Sequence, residues 1–373
     1  MQTGTITILL AGDLVLDEPE GAYWLEGIAP ALRAADLAVG HLEVPHTRRG
    51  GEFAGDVPAP GAPPENIAAI AAAGFGLVSL AGNHIADCGA EGITDTLREL
   101  HAHAIAHAGA GLSLAHARAP AIVPCGPLRV ALLSYNCVGP EAAWASDDRA
   151  GCAYLPIATA DGSPAAPAAP LETVLPEAWE ILTTDVTAAR EQADLVMVAL
   201  HKGIVHTPAR LARYEREISR IAIDAGADVV IGHHAHIVRG IEHYHGRPIF
   251  HGLGNGCVVT RALSPDQDHP ARREWAERRK AQFGFEPDPA YYLAPFHPEA
   301  VNAFLGRLDV TVDEGRIALR AGIVPVDVVP PGRPMLADEA RGAAVCRYVE
   351  RITIDAGLAA ISISPDGWVV QSA

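Results

Sequence analysis

Several short stretches of this sequence end in residues that bind cations or move protons. They are Asp13 in "AGD", Glu43 in "GHLEVP", Asn83 and His84 in "AGNHIADCG", His201 in "ALHKG", and His234 and His236 in "VIGHHAH". Two carboxylates, an amide and several imidazoles make a hard-to-borderline donor set. It suits Mn, Fe, Zn, Mg or Ca better than an ion that prefers thiolates. Any single one of the 17 histidines could be an ordinary core or surface residue. A succession of such ends is harder to explain that way. In an extended chain, residues i and i+2 point the same way. His234 and His236 are therefore expected to share a face, with His233 pointing away in a structural role.

These residues need elements to hold them. "TITILLAG" (5–12), "GLVSLAGN" (76–83), "ADLVMVALHKG" (193–203) and "GADVVIGHH" (226–234) are short apolar runs, as expected of strands buried on both faces. Helical stretches lie between them: "PENIAAIAAA" (64–73), "AEGITDTLRELHAH" (90–103) and "ARLARYEREISRIAIDA" (209–225). Such alternation predicts an α/β fold, with functional side chains at the carboxyl ends of strands. The segments 48–64 and 158–172, rich in Gly, Pro and Ala, read as mobile loops. A charged stretch at 264–289 reads as an inserted helix, placed as a lid would be. From about 303 the chain alternates as strands, expected to close a second sheet, and a β/α extension follows from about 326. The whole of 1–373 is read as one domain.

Composition narrows the function. The formal net charge of −17 disfavours a nucleic-acid binder that neutralises phosphates. Six scattered cysteines with no CxxC pair support neither a disulfide framework nor a zinc knuckle. The N-terminus lacks the basic start and unbroken apolar core of a signal peptide, and no stretch reaches the ~18 apolar residues of a membrane span. A cytoplasmic protein without membrane partners is expected.

The motifs "AGD", "LEVP", "AGNHIADCGAEGITDTLREL", "LHKG" and "AGADVVIGHHAHIVRGIEHYHGRPIFHGLGN", in this order, resemble the CapA-like family, named for poly-γ-glutamate capsule synthesis. That family is similar to calcineurin-like metallophosphoesterases. The resemblance covers about residues 5–325 and implies a four-layer α-β-β-α sandwich with one or two divalent metal ions at the strand ends. It further implies that Glu43 approaches both metal positions, that Asn83, His201 and His234 hold one ion, and that Asp13 and His236 serve the other. His84 would stand over the substrate, oriented by Asp87. There are departures. Val15 stands where phosphoesterases of this fold carry a histidine, so one ion becomes the expectation and Asp13 is freed for acid/base work. Lys202, Val205 and His206 replace the Trp, Glu and Tyr common in capsule proteins, and His41 replaces an asparagine.

Three functions remain open. A branch of the CapA-like family epimerises the C-terminal residue of lasso-peptide precursors. The matching expectation is a metal-dependent epimerase in which Asp13 and His297 move the Cα proton. His297 lies in the aromatic loop "YYLAPFHPEAVNAF" with Tyr291, Tyr292 and Phe296 as an apolar wall. Lys202, Arg239 and Tyr292 would contact the peptide substrate. His251 and Asn255 would support the site from behind. The alternatives are a metal-dependent hydrolase of phosphoester, γ-glutamyl or peptide amide bonds, with His84 as the acid, and a non-catalytic capsule-type protein.

Overall fold

The structure is a computed structural model that describes residues 5–51, 59–263, 270–313 and 316–371. The first part of the charged insertion (264–269) and residues 52–58 of the first predicted loop lie outside the described residues. The chain begins with β1 (Thr5–Leu16), β2 (Leu37–Leu42), α1 (Asn66–Ala73), β3 (Phe75–Ser79), α2 (Gly89–Ala102) and β4 (Ala106–Ala108). It continues with β5 (Ala121–Cys125), β6 (Leu128–Asn136), α3 (Pro176–Arg190), β7 (Leu195–His201), α4 (Arg213–Asp224) and β8 (Val229–His233). Next come β9 (Ile241–Tyr244), β10 (Arg247–Phe250), β11 (Asn255–Val259) and α5 (Pro270–Phe283). The last elements used below are β12 (Asn302–Asp313), β13 (Arg316–Val329), β14 (Arg333–Leu336) and α6 (Glu339–Asp355).

Two sheets result. The larger runs β14-β13-β12-β1-β2-β3-β4, with β11 joining the second half of β1; the smaller runs β9-β10-β8-β7-β6-β5. Side-chain alternation explains why they stack. On β1, Ile6, Ile8 and Leu10 join one apolar cluster with Leu132 of β6, Met197 and Ala199 of β7, and Ile231 of β8. Their neighbours Leu9 and Ala11 turn the other way, onto Ile67 and Ile70 of α1 and Ile93 of α2. On the far side, Val196, Val198 and Leu200 of β7 pack against Leu182 and Val186 of α3 and Ile218 and Ala222 of α4. Strands apolar on both faces, as the short runs predicted, thus separate three apolar layers. The architecture is the four-layer α-β-β-α sandwich implied by the calcineurin-like resemblance.

One expectation is corrected. The strands after residue 302 do not close the second sheet; β12 pairs antiparallel with the first half of β1 and carries β13 and β14 outward from there. Alternation alone fixes that a strand has an apolar face, not which sheet edge accepts it. β13 also runs through residue 326, so the expected boundary falls inside a strand. The predicted helix within the charged insertion is present as α5. Among the described residues, no helix is long and apolar enough to cross a membrane.

Candidate metal centre and adjoining pocket

The polar strand ends meet where the carboxyl ends of the two sheets face each other. Asp13 arrives there through a bulge in β1. Leu10 pairs with Val39 of β2, but Asp13 pairs with His41, so β1 has one extra residue between these pairs. The extra residue reverses alternation and turns Asp13 toward the second sheet. Gly12 permits the close approach, since a Cβ there would lie 1.9 Å from the Gly254 carbonyl oxygen.

Asp13 is wholly buried. Its Oδ1 lies 3.1 Å from His233 Nδ1, and its Oδ2 lies 3.5 Å from His236 Nδ1. Glu43, also wholly buried, places Oε1 3.5 Å from His236 Nε2 and 3.9 Å from His201 Nε2. His201 Nε2 stands 2.7 Å from Asn83 Oδ1 and 3.1 Å from His234 Nδ1. His84 contacts Asp87 at 2.6 Å through Nδ1, and the same Asp87 oxygen accepts the Ala59 N–H. The Asp87 contact fixes the orientation of the His84 ring. Gly82 makes room for the imidazoles: a Cβ there would sit 3.0 Å from His41 Nε2 and 3.3 Å from His201 Cε1.

The electrostatics follow from burial. Desolvation raises the Glu43 carboxyl well above its ordinary range, and the neighbouring Asp13 raises it further. Desolvation also raises Asp13, against the pull of His236 and His41. The same burial pushes His201 and His234 well below the usual imidazole value, and His41 to about 3. The rings are therefore neutral and offer lone pairs. Both Glu43 oxygens, Asp13 Oδ2, His41 Nε2, His201 Nδ1 and His234 Nε2 lack hydrogen-bond partners. Orphaned buried acceptors are costly. Ligand atoms about 3 Å apart are also what a first-row ion with bonds of roughly 2 Å gathers around itself. Asp13, His41 and His201 form one group able to share an ion; Asp13, Glu43 and His236 form another. The residues fit a divalent metal ion.

The structure corrects the expectation for His233 and adds His41. Alternation along β8 sends Val229, Ile231 and His233 between the sheets, as it does Leu37, Val39 and His41 on β2. His233 and His41 stack there, ring centroids 4.6 Å apart, and Ser79 Oγ lies 2.9 Å from His41 Nδ1. The period-2 pattern of "LAVGHL" contained this signal. His234 and His236 do not share a face through extended backbone. Both have positive φ, 88° and 52°, so the chain coils at this point. Asn255 faces His236 Nδ1 at 3.0 Å, in keeping with its expected supporting place.

Beside the cluster lies a cavity of about 320 Å³. Glu43, Asn83, His84, His206, His234 and His236 line one end of it, and Val15, Val44, Val258, Trp275, Phe283 and Phe296 line much of the rest. His206 is buried against Phe283, Phe285 and Phe296, a place its sequence position did not announce. Asp13 reaches this cavity only by way of His236, because it does not itself line the wall. His297 lies beyond Phe296, in an adjoining cavity with Asn255 and Tyr291, where its Nδ1 accepts the Glu299 N–H at 3.1 Å.

The expected substrate contacts are also corrected. Lys202 and Arg239 are wholly buried and face Glu215 at 3.5 and 2.8 Å, away from the cavity. Lys202 follows His201 on the strand, so alternation sends it to the opposite side. Tyr292 is 54% exposed and lines neither cavity. His251 lies with Lys202 and Glu242 rather than behind the histidine cluster.

Comparison with known proteins agrees with the motifs. Residues 7–258 match the family described as bacterial capsule synthesis protein PGA_cap. The chain is 30% identical over 250 residues to the PGA biosynthesis protein CapA of Bacillus subtilis, covering 65% of this chain and 60% of that protein. It is 32% identical over 200 residues to a probable polyglutamine synthesis accessory protein of Mycobacterium tuberculosis, covering 52% and 47%. The matches thus span about half to three-fifths of these relatives' lengths. Among solved structures, it is similar to a putative 5'-nucleotidase from Staphylococcus aureus in complex with alpha-ketoglutarate. That likeness has 13% identity and a TM-score of 0.48, and covers 93% of this chain and 58% of the other. With well over half of its length matched, the chain belongs to the PGA_cap family of CapA-like proteins.

Proposed function

We propose that the chain is a metal-dependent peptide epimerase that inverts the Cα of a peptide's C-terminal residue, such as that of a lasso-peptide precursor. The observation that carries this reading is the lining of the cavity beside the metal centre. Among its described lining residues are imidazoles, Glu43 and Asn83 at one end, an apolar wall elsewhere, and no lysine or arginine. A phosphoester usually meets Arg or Lys; this lining instead favours an uncharged, apolar side chain. The volume is at the lower end of the ~300–1,000 Å³ usual for ligand pockets, enough for a terminal residue rather than a long segment. Much of the wall, including Trp275, Phe283 and Phe296, comes from beyond the family match, which ends at 258. The pocket can therefore differ from that of the capsule relatives.

A divalent ion held by Glu43, Asn83, His201 and His234, with His236 beside it, would supply Lewis acidity toward the terminal carboxylate. The chain's own groups do the rest. Asp13, fixed by His233 and screened from the cavity by His236, would exchange the Cα proton from one side through the His236 ring, which lines the cavity. His297 lines the adjoining cavity behind Phe296, so its service to the opposite face requires that ring to move aside. His84, held by Asp87, stabilises the charge that develops on the substrate. One C–H bond breaks and one forms, so no oxidant or second substrate is needed.

A hydrolase reading is favoured by one specific observation, the His84–Asp87 pair at 2.6 Å beside the metal centre. There His84 would protonate the leaving group of a phosphoester or a γ-glutamyl or peptide amide. Incubation of peptides in D₂O separates the readings. The epimerase gains one deuteron at the C-terminal Cα with no cleavage, and Asp13→Asn stops this while metal stays bound. No exchange, together with released phosphate or peptide fragments, would overturn the proposal. Metal binding with neither reaction would point to a non-catalytic capsule-type protein.

A further inference from the structure

A second, larger cavity of about 610 Å³ adjoins the inner one. Pro167, Ala168, Val205, His206, Gln282 and Phe283 line both. These shared residues form the boundary between the two cavities. His206 stands in it with a left-handed backbone (φ 56°) and an N–H bonded to the Ala235 carbonyl at 2.8 Å, which ties it to the histidine-bearing turn. Its ring meets Phe283 edge-on at 4.8 Å. Beyond this boundary, the outer cavity is lined by residues from 160–172 and from 203–214. Among its described lining residues, Arg210 is the lysine-or-arginine cation and Glu172 the carboxylate.

We propose that the two cavities form one peptide channel, with the substrate's terminal residue in the inner cavity and the preceding residues laid along the outer one. This rests on the epimerase reading for the reaction, while the channel follows from the lining residues that the two cavities share. The occupant is an uncharged peptide segment. A γ-linked glutamate chain would bring many negative charges to a cavity with one arginine, on a protein of net charge −17. A neutral backbone with small or apolar side chains meets no such opposition, and each residue added along the channel contributes contact without a desolvated charge.

Isothermal calorimetry on the full chain tests this with two N-acetylated synthetic peptides ending in the same apolar residue, one of two residues and one of about six. The longer peptide is expected to bind at least about tenfold more tightly. Ala160→Trp, which fills the outer cavity from an exposed position, should erase that gain while thermal melting stays close to wild type. Equal affinities for the two lengths, or a gain that survives Ala160→Trp, would overturn the channel. An oligo-γ-glutamate of the same length binding as tightly as the neutral peptide would overturn the occupant. Deuterium exchange on the same peptides reads the reaction separately. Length-dependent binding without exchange keeps the channel and sinks the epimerase; exchange with length-independent binding does the reverse.

Discussion

His201 and Lys202 are consecutive, yet they enter two buried polar clusters of opposite character. His201 turns between the sheets to Asp13, Glu43 and the other imidazoles; Lys202 turns toward α4 and meets Glu215. In the first cluster two carboxylates face neutral rings, several lone pairs lack partners, and burial raises both acids. In the second, every carboxylate has cations. Glu215 faces Lys202 and Arg239, and Glu242 faces His251 at 3.0 Å, Arg216 at 2.9 Å and Arg220. Burial pushes these acids up as well, but the partners outweigh it and hold both below the ordinary range. Burial gives opposite outcomes in the two clusters because only one contains its own countercharge. The closed cluster braces the fold; the other is arranged to take a cation from outside.

The comparison is broken most severely by removing a partner from the closed cluster. Glu215→Ala leaves Lys202 and Arg239 buried without their carboxylate, and should destabilise the protein by about 3–5 kcal/mol in urea unfolding. A loss well under ~1 kcal/mol would show that this cluster is not self-neutralised.

Loading the open cluster should have the next largest effect. A divalent ion at about 100 times its Kd stabilises the folded state by roughly 2.7 kcal/mol. The melting temperature should rise with one or more of Mn, Zn, Ca and Mg, return with chelator, and respond far less in Glu43→Gln. A melting temperature indifferent to all four would remove the distinction between the clusters.

Acid sharpens it further. Glu242 is held low in the folded state, so its contribution to stability is fully present above its unfolded value of about 4.3 and is lost as pH falls through the depressed folded value. The advantage of wild type over Glu242→Gln in chemical unfolding should therefore shrink between about pH 5 and pH 3. An advantage that grows on acidification contradicts the pairing. The smallest effect belongs to the rim. Arg220 is 36% exposed and Arg216 still covers Glu242 when it is lost, so Arg220→Ala should cost less than ~1 kcal/mol.

Much of the fold was legible because period and burial agree. The runs at 5–12, 193–203 and 226–234 are apolar on both faces, and both faces are covered. What could not be read was where alternation stops. The bulge that turns Asp13 inward arises from pairing with β2 and from the close approach of Gly12 to Gly254, a contact between residues some 240 positions apart. The positive φ of His234 and His236 likewise belongs to a turn stabilised by its surroundings, and simple i, i+2 counting fails across it. His41 and His233 lay within regular strands, and the same counting places both correctly between the sheets.

The sequence by itself determined the layer type, the order of polar strand ends and the donor chemistry gathered there, because these follow from residue type and local period. Only the tertiary structure decided that Lys202, next to His201, turns away from Asp13 and into a closed ion-pair cluster. It also put Phe296 between the cavities that hold His236 and His297, and set His206 at the border of two cavities. Those outcomes depend on which faces of distant strands and loops pack together, and no local pattern contains that information.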